Sequence, residues 1–265
     1  MNKFRAILYD SFLEIKSGKM LYLYGAVMLI MVLIFILVPS IKINGENLFE
    51  SGILSPGMIT RGMAHFFSGF WGFALFLMVF GSAWLLPAYL GKGRIELTLS
   101  KPISRMKLLS MKFATVFLVK ISILALMSII IWLAIALRLG AFSMQFFFGL
   151  FFSFLVFANI YALVFFIGVL SRSGALAVMG YFVIKFSTDL LAGRELVYGF
   201  LGDSSWKTVL DTAYQILPKI GEMDDNYISL ISGDGFTNTY AIWTTLAFSA
   251  IIFLLTLLIF HRRDY

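Results

Sequence analysis

Six long apolar runs dominate this chain and leave few folds open to it: residues 20–38, 63–90, 113–137, 146–170, 174–192 and 240–260. At 1.5 Å per residue, a helix needs about 20 such residues to cross a hydrocarbon core. Stretches such as 28–38 are continuously apolar rather than alternating, which predicts helices and not the strands of a membrane barrel. Only 13% of the 265 residues are charged and 60% are apolar, against about 25% charged in soluble domains. That leaves too little polar surface to coat a water-soluble globule, so a soluble enzyme, a disordered tail and a fibrous repeat are excluded. The expected class is an all-α integral membrane protein with six transmembrane helices in a single domain, 1–265. The second run is longer than it needs to be, which predicts a tilt or an interfacial end near Pro87. Lys185 and Asp189 make the fifth the weakest.

Charge sets the orientation. Of the 21 lysines and arginines, 13 fall on one side of this topology, in 3–19, 92–112, Arg172 and Arg262–Arg263. Six fall on the other, and Lys120 and Lys185 lie within runs. The positive-inside bias places both termini in the cytoplasm; the membrane expected is a cell (inner or plasma) membrane. The formal charge of +7 does not indicate nucleic acid, because the basic residues form no patch with interleaved exposed aromatics. The first run starts only at Met20 and has no small-x-small cleavage site after it, so it is expected to stay in the mature protein. Ahead of it, Phe4, Ile7, Leu8, Phe12 and Ile15 recur at helical spacing with charged residues on other faces. This predicts an amphipathic N-terminal helix lying in the headgroup plane, in contact with the lipid bilayer. Residues 39–62 read as an outer loop with little helical pattern. Residues 193–239, where seven acids face three bases, read as a lid or as short helices on the outer face.

Familiar catalytic motifs are missing. No phosphate-binding G-x-x-x-x-G-K-[ST] occurs, nor H-E-x-x-H, nor G-x-S-x-G, and there is no cysteine. No catalytic activity, cofactor or metal is therefore expected of this chain itself. Asp224-Asp225-Asn226 reads as an exposed acidic turn rather than a cation site.

The segment 90–113 reads LGKGRIELTLSKPISRMKLLSMKF, with six basic residues against Glu96 alone. Leu97, Leu99 and Ile103 give it an apolar face, and Pro102 breaks any continuous helix. A short amphipathic helix, a turn at Lys101-Pro102 and a basic helical run into the third span are expected. Such an element can rest on anionic lipid or dock a cytoplasmic partner, and physical chemistry leaves both open.

The stretch Gly93–Arg105, followed by Lys112, resembles the signature of ABC-2 type transporter permeases. There the pattern is an acidic residue and Gly-Thr, a leucine run, then Ser/Ala-x-Pro-[IV]-Ser-Arg and a later Lys. The ending Phe260-His261-Arg262-Arg263-Asp264-Tyr265 is similar to that family's Phe-x-Arg-Arg-Asp-aromatic terminus. Ile216-Leu217-Pro218 falls where many members carry Leu-Pro or Asn-Pro. Within the family, the likeness is to the multicopper-enzyme-maturation group, which includes the nitrous oxide reductase maturation permease. Phe186–Leu191, with Asp189, adds to that likeness. Lys92-Gly93-Arg94 departs from the pattern, since acidic residues commonly precede the Gly-Thr.

The resemblance implies an exporter driven by a separate ABC ATPase subunit that holds ATP and Mg, working with a second permease chain as a homodimer. It also implies that the loop 91–112 is the coupling element, with Arg94, Glu96, Leu97, Leu99, Lys101, Pro102, Ser104 and Arg105 seated on the ATPase.

Lys185 and Asp189, four residues apart, share a helix face and can pair. They form either a structural ion pair or a polar lining of the substrate path. Asn159 is expected to make an interhelical hydrogen bond rather than to contact substrate in that path, and Lys120 to snorkel to the cytoplasmic face. Ser68-x-x-x-Gly72 and Gly149-x-x-x-Ser153 offer flat strips for close helix approach, and the phenylalanines are expected mostly to face lipid. Two rival readings remain: an ion-coupled secondary transporter using Lys185 and Asp189, and a membrane assembly factor that transports nothing.

Overall fold

The computed structural model describes residues 3–37, 42–43, 46–47, 56–91, 103–139, 144–201 and 205–263. Among these residues the chain forms helices α1 (Lys3–Ser17), α2 (Met20–Leu37), α3 (Pro56–Ala83), α4 (Leu85–Tyr89), α5 (Arg105–Leu139) and α6 (Gln145–Ser171). It continues through α7 (Gly174–Ala192), α8 (Arg194–Leu201), α9 (Trp206–Ile216), α10 (Ile220–Ser232) and α11 (Thr239–Arg262). Two-residue strands β1 (Lys42–Ile43) and β2 (Glu46–Asn47) pair antiparallel, Lys42 opposite Asn47. Five segments are long and apolar enough to cross a membrane: Gly69–Tyr89, Arg105–Ala134, Gln145–Ser171, Gly174–Ala192 and Thr239–Arg262. There are six if α1 and α2, bent by 66° at their junction, count as one broken span.

The helix ends follow local chemistry. At Pro87 the helix loses an N–H and its ring crowds the preceding turn, so α3 stops at Ala83, turns at Trp84 and resumes as α4. The break falls near Pro87, within the apolar run 63–90. Ser173 caps α7 by accepting from the Leu176 N–H, and Arg172 just before it is left-handed at φ 52°, so α6 and α7 reverse within three residues. Asn238 caps α11 through the Ala241 N–H at 3.1 Å. The basic run into the third span is helical, since α5 starts at Arg105.

One boundary differs. Helix α3 begins at Pro56, so the end of the expected outer loop 39–62 is helical. Proline suits a first helical position. Extending an existing helix also avoids the cost of nucleation, which outweighs the two glycines there.

Helix α6 is the centre of the bundle. Sixteen of its residues are buried, on every face, as in a helix surrounded by others. It packs against α3, α4, α5, α7, α10 and α11. Phe113 of α5 stacks on Tyr161 of α6 at 4.7 Å and meets Phe253 of α11 at 4.5 Å. Phe70, Phe146, Phe152, Phe157, Phe165 and Phe260 are buried too. The phenylalanines therefore serve as helix-to-helix packing as well as outer surface, as expected of rings that gain about 0.5–1.5 kcal/mol per pair beyond area burial. Gly149 provides a close approach, because a Cβ there would lie 2.6 Å from Ile231 of α10. The Gly149–Ser153 strip thus serves packing within the chain. Around Gly72 there is open space, and the Ser68 side chain lies outside the described residues.

Candidate functional site

At the end of the bundle where α5 begins, two distant stretches meet. Arg105 donates from Nη1 to the Arg263 carbonyl at 2.8 Å. Arg263 in turn donates to the carbonyls of Val169 (2.8 Å) and Leu170 (3.2 Å) at the end of α6. Both guanidinium groups therefore satisfy carbonyls at helix C-termini, where orphan acceptors and the helix dipole favour a cation. Ser104 beside them is exposed. Arg94, Glu96, Leu97, Leu99, Lys101 and Pro102 lie outside the described residues.

Two turns further along α5, Lys112 is 1% exposed. Its Nζ lies 2.6 Å from Glu14 Oε2, 3.4 Å from Asp10 Oδ2 and 3.2 Å from Ser11 Oγ. The Tyr89 ring sits 4.7 Å away, and Ser11 and Thr115 hydroxyls bond at 3.1 Å. Helix α1 is thus latched to α5 through its polar face. Sequence reasoning kept Lys112 as a motif residue and missed this role. The signal was there in Asp10 and Glu14, an i, i+4 carboxylate pair whose cation comes from a different helix.

Lys120 does not snorkel. It is completely buried, and its Nζ donates to the Tyr24 hydroxyl at 2.5 Å, which donates to the Leu77 carbonyl at 3.3 Å. Gly81 makes the room, since a Cβ there would lie 2.8 Å from the Lys120 amine. An acceptor inside the bundle lies closer than any route to water.

The opposite end holds a feature that composition concealed. Within residues 193–239 the described part forms the short helices expected, but one of them, α10, is wedged into the bundle rather than laid on it, while α9 has no buried residue. Ile231 lies against Gly149 near the start of α6, while Ile220 and Pro218 reach Asn159 and Ile160. The tip therefore descends about 15 Å along α6, from ten residues at 1.5 Å each. Ile220, Met223, Tyr227 and Ile231 form the buried face of α10. Lys219 pins the tip: its backbone N–H donates to Thr245 Oγ1 at 3.0 Å, and its Nζ donates to the Tyr214 carbonyl at 2.9 Å. The Tyr214 and Tyr240 rings flank that ammonium at 4.5 and 5.0 Å. On the outside, Arg194 bonds Asp211 at 2.9 Å and stacks on Tyr214 at 3.7 Å.

Here Lys185 and Asp189 do pair, at 3.3 Å, and Lys185 has a second partner, Asp224 of α10, at 3.4 Å. Burial pushes the Asp224 carboxyl up, against the pull of the Lys185 ammonium. One lysine thus holds two carboxylates and joins the wedge to α7. Among the described residues Asn159 makes no interhelical bond; its amide donates to the Leu155 carbonyl of its own helix at 2.8 Å, beside a cavity of only about 10 Å³. The tip of α10 is apolar at that level and offers it no acceptor.

The 224–226 stretch is helical rather than a turn. Asp225 is exposed, but Asn226 is completely buried and makes five hydrogen bonds. Its amide donates to the carbonyls of Glu222 and Asn238 at 2.9 Å each. Its oxygen accepts from the backbone N–H groups of Thr237 and Asn238 at 3.0 and 3.1 Å, and from the Thr237 hydroxyl at 3.3 Å. Among the described residues no three His, Cys, Asp or Glu side chains stand together as a metal site.

The pairing predicts a measurable lock. Lys185 and Asp224 are each about one-third exposed, so breaking their pair is expected to cost about 1–2 kcal/mol, below the range for fully buried pairs. The chain has no cysteine, so a single one introduced at Met223 reports on the wedge. Its labelling by a maleimide is expected to be about tenfold faster with Lys185→Met, the factor that 1.4 kcal/mol supplies. Equal rates would show that the pair does not hold the wedge.

No protein-family model matches this chain, and no curated protein matches it.

Proposed function

We propose that this chain is the membrane-embedded subunit of an ATP-driven exporter of the ABC-2 permease kind. It sits in a plasma membrane with both termini in the cytoplasm and works as one of two permease chains. ATP and Mg belong to a separate ATPase, which engages the loop around Glu96–Arg105. The observation that supports this reading is the clasp between Arg105 and Arg263. The two stretches that carry the family resemblance lie 158 residues apart and are hydrogen-bonded to each other. One end of the coupling loop is thereby bolted to the ends of α6 and α11, and a thrust delivered there moves helices instead of dissipating in a loose linker. At the far end, the wedge α10, tied to Lys185 of α7, is the part suited to open an exit.

The test is purification of the tagged full chain from its own membrane. An ATP-hydrolysing subunit is expected to accompany it, and to be lost on Glu96→Ala or Pro102→Ala. A chain that purifies without any ATPase, and moves solute along an ion gradient until Asp189→Asn abolishes it, would overturn the proposal in favour of a secondary transporter.

A further inference from the structure

The elbow between α1 and α2 encloses a cavity of about 350 Å³. Its walls are Ile15, Met20, Trp84 and Leu85, with Ser17 and Gly18 at the mouth. Gly81 also lines it, and the buried Lys120 amine lies beside the bare Cα of that glycine. A second groove, of about 590 Å³, continues around the outside of the elbow. It shares Glu14 and Ser17 with the cavity and adds Asp10, Leu13, Lys16, Lys19 and Tyr22.

Three observations identify what would fit there. First, the charge around the groove is net positive: its two carboxylates, Asp10 and Glu14, both pair with Lys112, and Lys16 and Lys19 are exposed and make no ion pair among the described residues. Second, Lys19 is held at φ 58°, a left-handed conformation that glycine or asparagine adopts more readily. Backbone strain kept at one residue is a mark of a side chain in use. Third, the surface around the mouth is amphipathic. Tyr9, Phe12, Leu13 and Tyr22 are all exposed, which suits the headgroup zone, where apolar bodies and polar tips are both accommodated.

We infer that this elbow is a binding site for one anionic phospholipid, with its phosphate between Lys16 and Lys19 and its acyl-glycerol portion in the apolar cavity. A soluble anion would satisfy the lysines and leave the cavity empty. An uncharged lipid would fill the cavity and leave the lysines unanswered. A phospholipid with net negative charge satisfies both. The inference requires that the bundle sits in a bilayer with the elbow at headgroup level, and it stands or falls apart from any ATPase.

Trp84 in the cavity wall supplies the readout. The full chain is placed in phosphatidylcholine nanodiscs with a small fraction of either dibrominated phosphatidylglycerol or dibrominated phosphatidylcholine. Bromine quenches tryptophan on contact, and Trp84→Phe subtracts the other tryptophans. The Trp84 component is expected to be quenched severalfold more by the phosphatidylglycerol. That preference is expected to vanish in Lys16→Gln/Lys19→Asn, where asparagine preserves the left-handed elbow. Equal quenching by the two lipids in the unaltered protein would overturn the inference, whether or not the double variant folds. Relief of the preference by inorganic phosphate, but not by chloride at matched ionic strength, would also overturn it and point to a soluble anion.

Discussion

Lys112→Met is expected to release α1 from the bundle. Methionine retains most of the apolar stem, so packing changes little while the charge disappears. Asp10, about half exposed, can return to water; Glu14, at 11% exposure, cannot. Removing one partner of a buried pair costs about 3–5 kcal/mol, and Glu14 loses the ammonium 2.6 Å away. The expected outcome is a clear drop in the melting temperature in detergent and rapid proteolysis within Lys3–Ser17. Adding Glu14→Gln to Lys112→Met is expected to restore part of the loss, since it removes the buried charge that lost its ammonium. Glu14→Gln alone destabilises by leaving Lys112 only Asp10 and Ser11 of its three oxygen partners. An additive double variant would show that the two residues are not coupled in this way.

The second large effect is expected at Asn226. Alanine there leaves the backbone N–H groups of Thr237 and Asn238 and the Asn238 carbonyl without their buried partner. Each unsatisfied group costs about 1–3 kcal/mol. Because such costs do not add fully, a loss of about 3–5 kcal/mol is expected, at the top of the range for single substitutions. The same asparagine organises the turn that delivers Asn238 to its cap on α11, so the damage should reach that helix. Asp225→Ala, one residue away but exposed, is expected to fall within about 0.5 kcal/mol of the unaltered protein. Thermal unfolding of the pair checks both values, and similar melting temperatures for the two variants would refute the buried role of Asn226.

The spans were legible because a membrane imposes one strong rule on sequence. Helices α6, α7 and α11 end within two residues of the apolar runs that announced them, since hydrocarbon length leaves little latitude. What the runs conceal is which side of each helix meets another. Lys120 looks the same in sequence whether it reaches for water or for a tyrosine; only the missing side chain at Gly81, on a different helix, decides. The wedge α10 was hidden for the opposite reason. Its polar composition suits a surface segment, and its buried stripe of Ile220, Met223, Tyr227 and Ile231 is short. Asn226 among those apolar neighbours was the available clue, since a polar side chain so placed needs an internal role. Of the candidate site, the Lys185–Asp189 pair was readable from its spacing, while its tie to Asp224 needed the fold.

The all-round burial of α6 limits how this molecule can change shape. A rod gripped by six neighbours cannot tilt or slide without repacking nearly every interface at once, and close-packed interiors resist that. Rearrangement must therefore fall to the periphery. Helices α7 and α11, each bound along one stripe, would swing about α6 as about a stationary spindle, and the wedge would withdraw like a key from beside it.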